Sequence, residues 1–130
     1  MLGWTRQKAK TEPAMLDEAF LERLEEHIGA EALRELLADG LIEIIDRLER
    51  LSEEVRAERR GPALRIGHDI AGLAGHIGLS ALSRAAVEMN RTARMEPVTA
   101  VSELAAPVLE VGQSAAEALR VRIDATAPKK

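Results

Sequence analysis

The chemistry open to this chain is narrow. Its 130 residues contain three histidines and 22 carboxylates but no cysteine. Disulfides, thiolate metal sites and a thiol nucleophile are therefore excluded. The histidines are His27, His68 and His76, and none stands in an H-E-x-x-H or comparable ligand spacing, so no metal site is expected. There is no P-loop and no nucleotide-binding glycine loop beside a strand, so the chain is not expected to use ATP itself. The side chain whose setting stands out is the imidazole of His68, a group able to act as a nucleophile.

His68 lies in the one segment that breaks ordinary helix rules. Residues 62–78 read Pro-Ala-Leu-Arg-Ile-Gly-His-Asp-Ile-Ala-Gly-Leu-Ala-Gly-His-Ile-Gly. The interior glycines Gly67, Gly72 and Gly75 would together cost a helix roughly 2–3 kcal/mol against alanine. That is a large share of a small domain's stability, so some other gain is expected to offset it. At about 100° per residue, with His68 at zero, Ile66, Ile70, Leu73 and Ile77 fall between about 140° and 200°. One apolar stripe thus lies opposite His68, and if it faces the core His68 faces water. Around His68 fall Leu64, Ala71, Gly72, Gly75 and Leu79, all small or apolar. A solvent-facing imidazole on a bald patch suits a partner that must bring a reactive group close. By helical position alone, His68 is equally an ordinary surface histidine. His76 falls on the flank with no glycine four residues later, and His27 suits a favourable charge at a helix C-terminus.

The elements that position this segment are helical. The chain is 46% hydrophobic, 31% charged and only 2% aromatic, and it is rich in Ala, Leu and Glu. Such a composition favours helices over strands. A first helix is expected over 17–28, with Asp17 as N-cap, Leu16 and Leu21 spaced as a hydrophobic staple, and Gly29 as the stop. A second, over 30–58, carries the stripe Leu33, Leu37, Leu41, Ile44, Leu48, Leu51 and Val55, with Gly40 weakening its middle. The third spans 62–78, with Pro62 at its first position. The fourth spans 80–94, and a fifth, 99–124, is expected to kink or start late at Pro107. The economical architecture is all-α: an antiparallel four-helix bundle with a short additional N-terminal helix. Residues 1–13 read as a flexible tail, 14–125 as the bundle and 126–130 as a frayed end. A net charge of -4 argues against nucleic acid as a partner. No apolar run is long enough for a membrane span and no secretory segment is visible, so a cytoplasmic monomer is expected.

The run His68-Asp-Ile-Ala-Gly72-Leu-Ala-Gly-His-Ile-Gly78 resembles the signature of histidine-containing phosphotransfer (HPt) domains, including the related first domain of chemotaxis kinases. That signature is a His, a Gly four residues later and a second Gly ten residues later, within this order of helices. The resemblance covers about 17–124. It implies that His68 is a phosphoacceptor in a phosphorelay. It also implies response-regulator receiver domains and a hybrid histidine kinase as partners, with Mg2+ needed only in the receiver and no cofactor of the chain's own. One position departs: where the family usually has Lys, three residues after the His, this chain has Ala71.

If the third and fourth helices turn back near residue 79, His68 and Asn90 are equally far from the turn and share a level. Arg94 then falls about one turn further along, near Leu64. Asn90 is expected to hold Nδ1 of His68 in its protonated form, leaving Nε2 free to attack. Arg94 and Arg65 could supply the cation missing at Ala71. On spacing alone, each of the three is equally a polar surface residue. The expected docking patch is Leu64, Ala71, Gly72, Gly75 and Leu79. The competing expectation is a helical module that is not phosphorylated and sequesters a receiver by docking.

Overall fold

The computed structural model describes residues 14–126, so the expected tail at 1–13 lies outside it, as does the expected tail at 126–130 except Thr126, which ends the last helix. Among the described residues there are helices and their connections and no strand. They are α1 (Glu18–Ile28), α2 (Ala30–Arg56), α3 (Arg60–His76), α4 (Ser80–Met95) and α5 (Val101–Thr126). Helices α2 to α5 form the bundle: each packs along its two neighbours, and α3 meets α5 only across the diagonal. The connections are short, so consecutive helices run antiparallel. No described helix is long and apolar enough to cross a membrane.

On α2 and α5 the expected stripes line the core. On α2, Leu33, Leu37, Ile44 and Leu51 are fully buried, and on α5 so are Val108, Ala115 and Leu119. Gly40 is not a weak point. A Cβ there would come within 2.8 Å of the Ile77 side chain, so the glycine lets α3 seat against α2. Gly112 of α5 admits Leu48 of α2 in the same way. Helix α5 runs through Pro107 as a single element that starts at Val101. Pro107 and Glu103, one turn earlier, are both exposed, so the carbonyl that loses its donor lies on the solvent side.

Helix α1 closes one end of the bundle. The Asp17 carboxylate accepts from the Phe20 amide at 3.0 Å, the expected N-cap. The Asp17 amide in turn donates to the Gly78 carbonyl at 2.8 Å, and the Ala81 amide to the Ala14 carbonyl at 3.0 Å. Leu21 is fully buried against the same end.

Helix α3 starts at Arg60, so Pro62 is its third residue rather than its first, and α5 is shifted by two residues from the expected span. Helices α2 and α3 each stop two residues early, for a local reason. Helix α2 stops at Arg56 because Glu58 adopts a left-handed φ of 55°, and the Arg59 amide reaches back to the Glu54 carbonyl at 2.9 Å. Helix α3 stops at His76. The Leu79 amide donates to the Ala74 carbonyl at 2.9 Å and Gly78 has φ +79°, the geometry of a Schellman stop. A Cβ on Gly78 would also lie 3.2 Å from Phe20 and 3.3 Å from Leu21. Gly78→Ala is therefore expected to destabilise the fold by about 1–3 kcal/mol, read as a melting temperature several degrees lower. An unchanged melt would show that the turn relaxes without that glycine.

Candidate functional site

Helix α3 is positioned by small residues. Its buried side chains are Ala63, Ile70 and Ala74, with Gly67 between them, while Ile66 and Leu73 are only half-buried. The core side of α3 is thus rotated by roughly 60° from the stripe expected on the wheel, towards the alanines and Gly67. Small residues bring a neighbouring helix close and so mark the packed side as surely as large ones. At Gly67 the approach is tight: a Cβ would lie 3.1 Å from Asn90 Nδ2 and 3.1 Å from Met89 Sδ on α4. Ser83 of α4 adds a hydrogen bond, its Oγ donating to the Ala71 carbonyl at 2.9 Å.

His68 is exposed, about 130° round the helix from the centre of that buried side. It lines an open groove of about 570 Å³ with Leu64, Arg65, Asp69 and Asn90. Asn90 thus sits at the level of His68, packed over its neighbour Gly67. Its amide is not given to the imidazole: Nδ2 donates to the Ala86 carbonyl of its own helix at 3.4 Å. Among the described residues no hydrogen bond holds the His68 ring. The expected hydrogen bond from Asn90 to the His68 ring is therefore not made among the described residues. His76 differs. Its Nδ1 lies 2.8 Å from the Gly72 carbonyl, which the ring meets as a donor through Nδ1–H.

The other expected residues separate clearly. Arg65 is exposed and lines the groove, and it makes no ion pair with a described residue. Arg94 is exposed on α4 but does not line the groove. Gly72 is exposed, and a Cβ there would meet nothing within 4 Å. Gly75 is also exposed, with only the Ser83 hydroxyl 3.5 Å from a built Cβ. Leu64 and Ala71 are half-buried. Leu79 has to be removed from the docking patch, because it is fully buried. Helical periodicity no longer applies beyond His76, and the left-handed Gly78 turns the chain so that Leu79 points into the core.

Two positioning residues were not expected. Ser83 ties α4 to α3 beside Ala71, and nothing in its sequence surroundings signals this. Arg60 donates to the Thr99 carbonyl at 2.6 Å and to the Ala93 carbonyl at 3.1 Å. It thereby fastens the start of α3 to the connection between α4 and α5. Among the described residues no group of His, Asp and Glu is arranged to hold a metal ion.

The described residues thus form a four-helix bundle whose helix α3 presents an exposed histidine in an open groove. The family model of the Hpt domain matches residues 16–126, and the chain belongs to the Hpt domain family. Hpt domains are the histidine phosphotransfer modules of phosphorelays, and receiver domains and histidine kinases are their usual partners. No curated protein and no solved structure matches the chain.

Proposed function

We propose that His68 carries a phosphoryl group between receiver-domain aspartates, making this chain a phosphorelay intermediate and a phosphoprotein of the cytoplasm that acts as a monomer. The observation that supports this reading most is the setting of His68: exposed, held by no described residue, and one turn from Gly72, where nothing obstructs approach. In the proposed step the Nε2 lone pair attacks the phosphorus of a receiver's aspartyl phosphate. The bond from phosphorus to the carboxylate oxygen breaks, and its electron pair returns to the aspartate. The ring takes up positive charge, relieved by loss of the Nδ1 proton to solvent. The return step to a second receiver reverses the sequence. Transfer of this kind rests on position and charge stabilisation rather than on groups supplied by the carrier. We propose accordingly that the chain needs no cofactor of its own, with Mg2+ held in the receiver's acidic pocket.

The test is to incubate the protein with a phosphorylated receiver domain and measure label on it. Transfer of an acid-labile, base-stable label supports the carrier; stoichiometric binding without label supports the alternative, a module that docks and sequesters a receiver. The feature that favours this alternative is Ala71, which leaves no cation at the position where the family usually has Lys.

Arg65 offers a cation one turn before His68 on the same groove. A charge-assisted hydrogen bond to the phosphoryl oxygens there is worth roughly tenfold in rate or lifetime, at the low end because the site is exposed. Arg65→Ala is expected to slow transfer by about that factor, and Ala71→Lys in the same chain to restore it. Equal rates for Arg65→Ala and the unaltered protein would remove Arg65 from the site.

A further inference from the structure

The charges of the bundle are sorted. On α3 and α4 stand Arg60, Arg65, Arg84, Arg91 and Arg94 against only Asp69 and Glu88. Helix α1 carries Glu18, Glu22, Glu25 and Glu26 against Arg23, and α2 has twice as many carboxylates as arginines. The hairpin that bears His68 is therefore the basic pole of an acidic protein.

Within that pole the basic residues occupy one flank. With Asn90 at zero on α4, Arg94, Val87, Arg91 and Arg84 fall at about 40°, 60°, 100° and 120°, while the buried Leu82, Ala86, Met89 and Ala93 centre near 290°. Asn90 lines the His68 groove; Arg94 is angularly nearest to it, and Arg91 and Arg84 follow on the outer, solvent-facing side of the same helix. Glu88 falls further round, at about 160°, and lines the separate groove between α4 and α5 with Ala85 and Thr92. Arg84 and Arg94 pair with no described carboxylate, and Arg91 has only an exposed contact with Glu88 at 3.6 Å. Val87, 51% exposed, supplies an apolar contact in their midst. Across His68, on the side of α2, Asp69 instead shares a groove with Glu53 and Glu54. Charges separated by more than about 10 Å are screened at 0.1 M salt, so a partner docking at His68 senses this local rim more than the net charge.

We infer that Arg84, Arg91 and Arg94 on α4 are specificity-determining residues, a basic rim that selects and orients receiver domains whose docking surface is acidic on one side. The inference rests on the proposed function for the identity of the partner class. It concerns which receivers are chosen, not the chemistry at His68.

The experiment titrates the full chain with purified receiver domains graded by the net charge of the surface flanking their phosphorylatable aspartate, at low and high salt. Affinity should rise with the receiver's negative charge. Charge reversal in Arg84→Glu/Arg91→Glu should weaken the tightest receiver by about tenfold or more at low salt and flatten its salt dependence. Arg23→Glu/Arg120→Glu makes the same change in net charge away from His68, and it should stay within about twofold. No ranking by charge, an unaffected Arg84→Glu/Arg91→Glu protein, an equal loss in the control, or no binding to any receiver would each overturn the rim. Labelling of His68 with phosphoramidate, which needs no partner, is read in parallel and should be the same in every variant. Failure of phosphoramidate to label the unaltered chain would count against the proposed function, while the binding constants would still decide the rim.

Discussion

His68→Gln is expected to abolish labelling by a phosphorylated receiver while leaving the melting temperature unchanged. The imidazole is exposed and no described residue bonds to it, so its replacement takes away a nucleophile without opening a cavity or orphaning a partner. His76 is the necessary comparison. It too is exposed, and its Nδ1–H is engaged with the Gly72 carbonyl, which leaves Nε2 with a free lone pair. On the availability of a nitrogen alone His76 is thus a competent nucleophile. The difference lies in the surroundings. His68 stands mid-helix in a groove with Arg65 and Asn90, whereas His76 closes the last turn of α3. His76→Gln should therefore retain full labelling. Label that survives His68→Gln, or disappears with His76→Gln, would assign the phosphoacceptor to the wrong histidine.

Gly72→Gln should separate stability from transfer. Gly72 is inside α3, exposed, and a Cβ there meets nothing within 4 Å, so close helix packing does not require the glycine. Replacing an interior glycine by a good helix former stabilises by up to about 1 kcal/mol, and the melting temperature should hold or rise. The new side chain would project one turn from His68 and about 40° round the helix, into the space through which a receiver's aspartyl phosphate must come. In-line transfer tolerates little misplacement, so the rate should fall by about tenfold or more. A thermal melt and a phosphotransfer time course on the same variant decide the matter. Transfer at the normal rate would show that the glycine is not kept for partner access. Unfolding would show a packing role and remove the main support for the cleared patch around His68.

Much of the bundle was legible along the chain because large apolar residues at helical spacing report burial directly. Leu33, Leu37, Ile44 and Leu51 on α2 were read from spacing alone, and Asp17 and Gly29 marked their helix ends by the chemistry of caps. The core side of α3 is not legible in that way. There the contact is made by Ala63, Gly67 and Ala74, whose small side chains carry little hydrophobic signal but permit the closest approach. Leu79 likewise escapes helical periodicity, because the left-handed Gly78 ends the helix before it and turns it into the core.

What the sequence by itself determined is the all-helical class, the order of the helices, and the singling out of His68 by a glycine-rich segment whose cost called for a reason. Those features depend on local propensity and periodicity, which the chain carries from residue to residue. Only the tertiary structure decided which glycines serve which purpose: Gly67 and Gly40 admit neighbouring helices, Gly78 makes a turn beneath Phe20 and Leu21, and Gly72 faces open space. It also decided that Arg65 rather than Arg94 shares the groove with His68, and that Asn90 bonds within its own helix. Such distinctions turn on how far two helices stand apart and how each is rotated about its axis. Both are set by side chains from several distant segments packing at once, and no single stretch of the chain contains them.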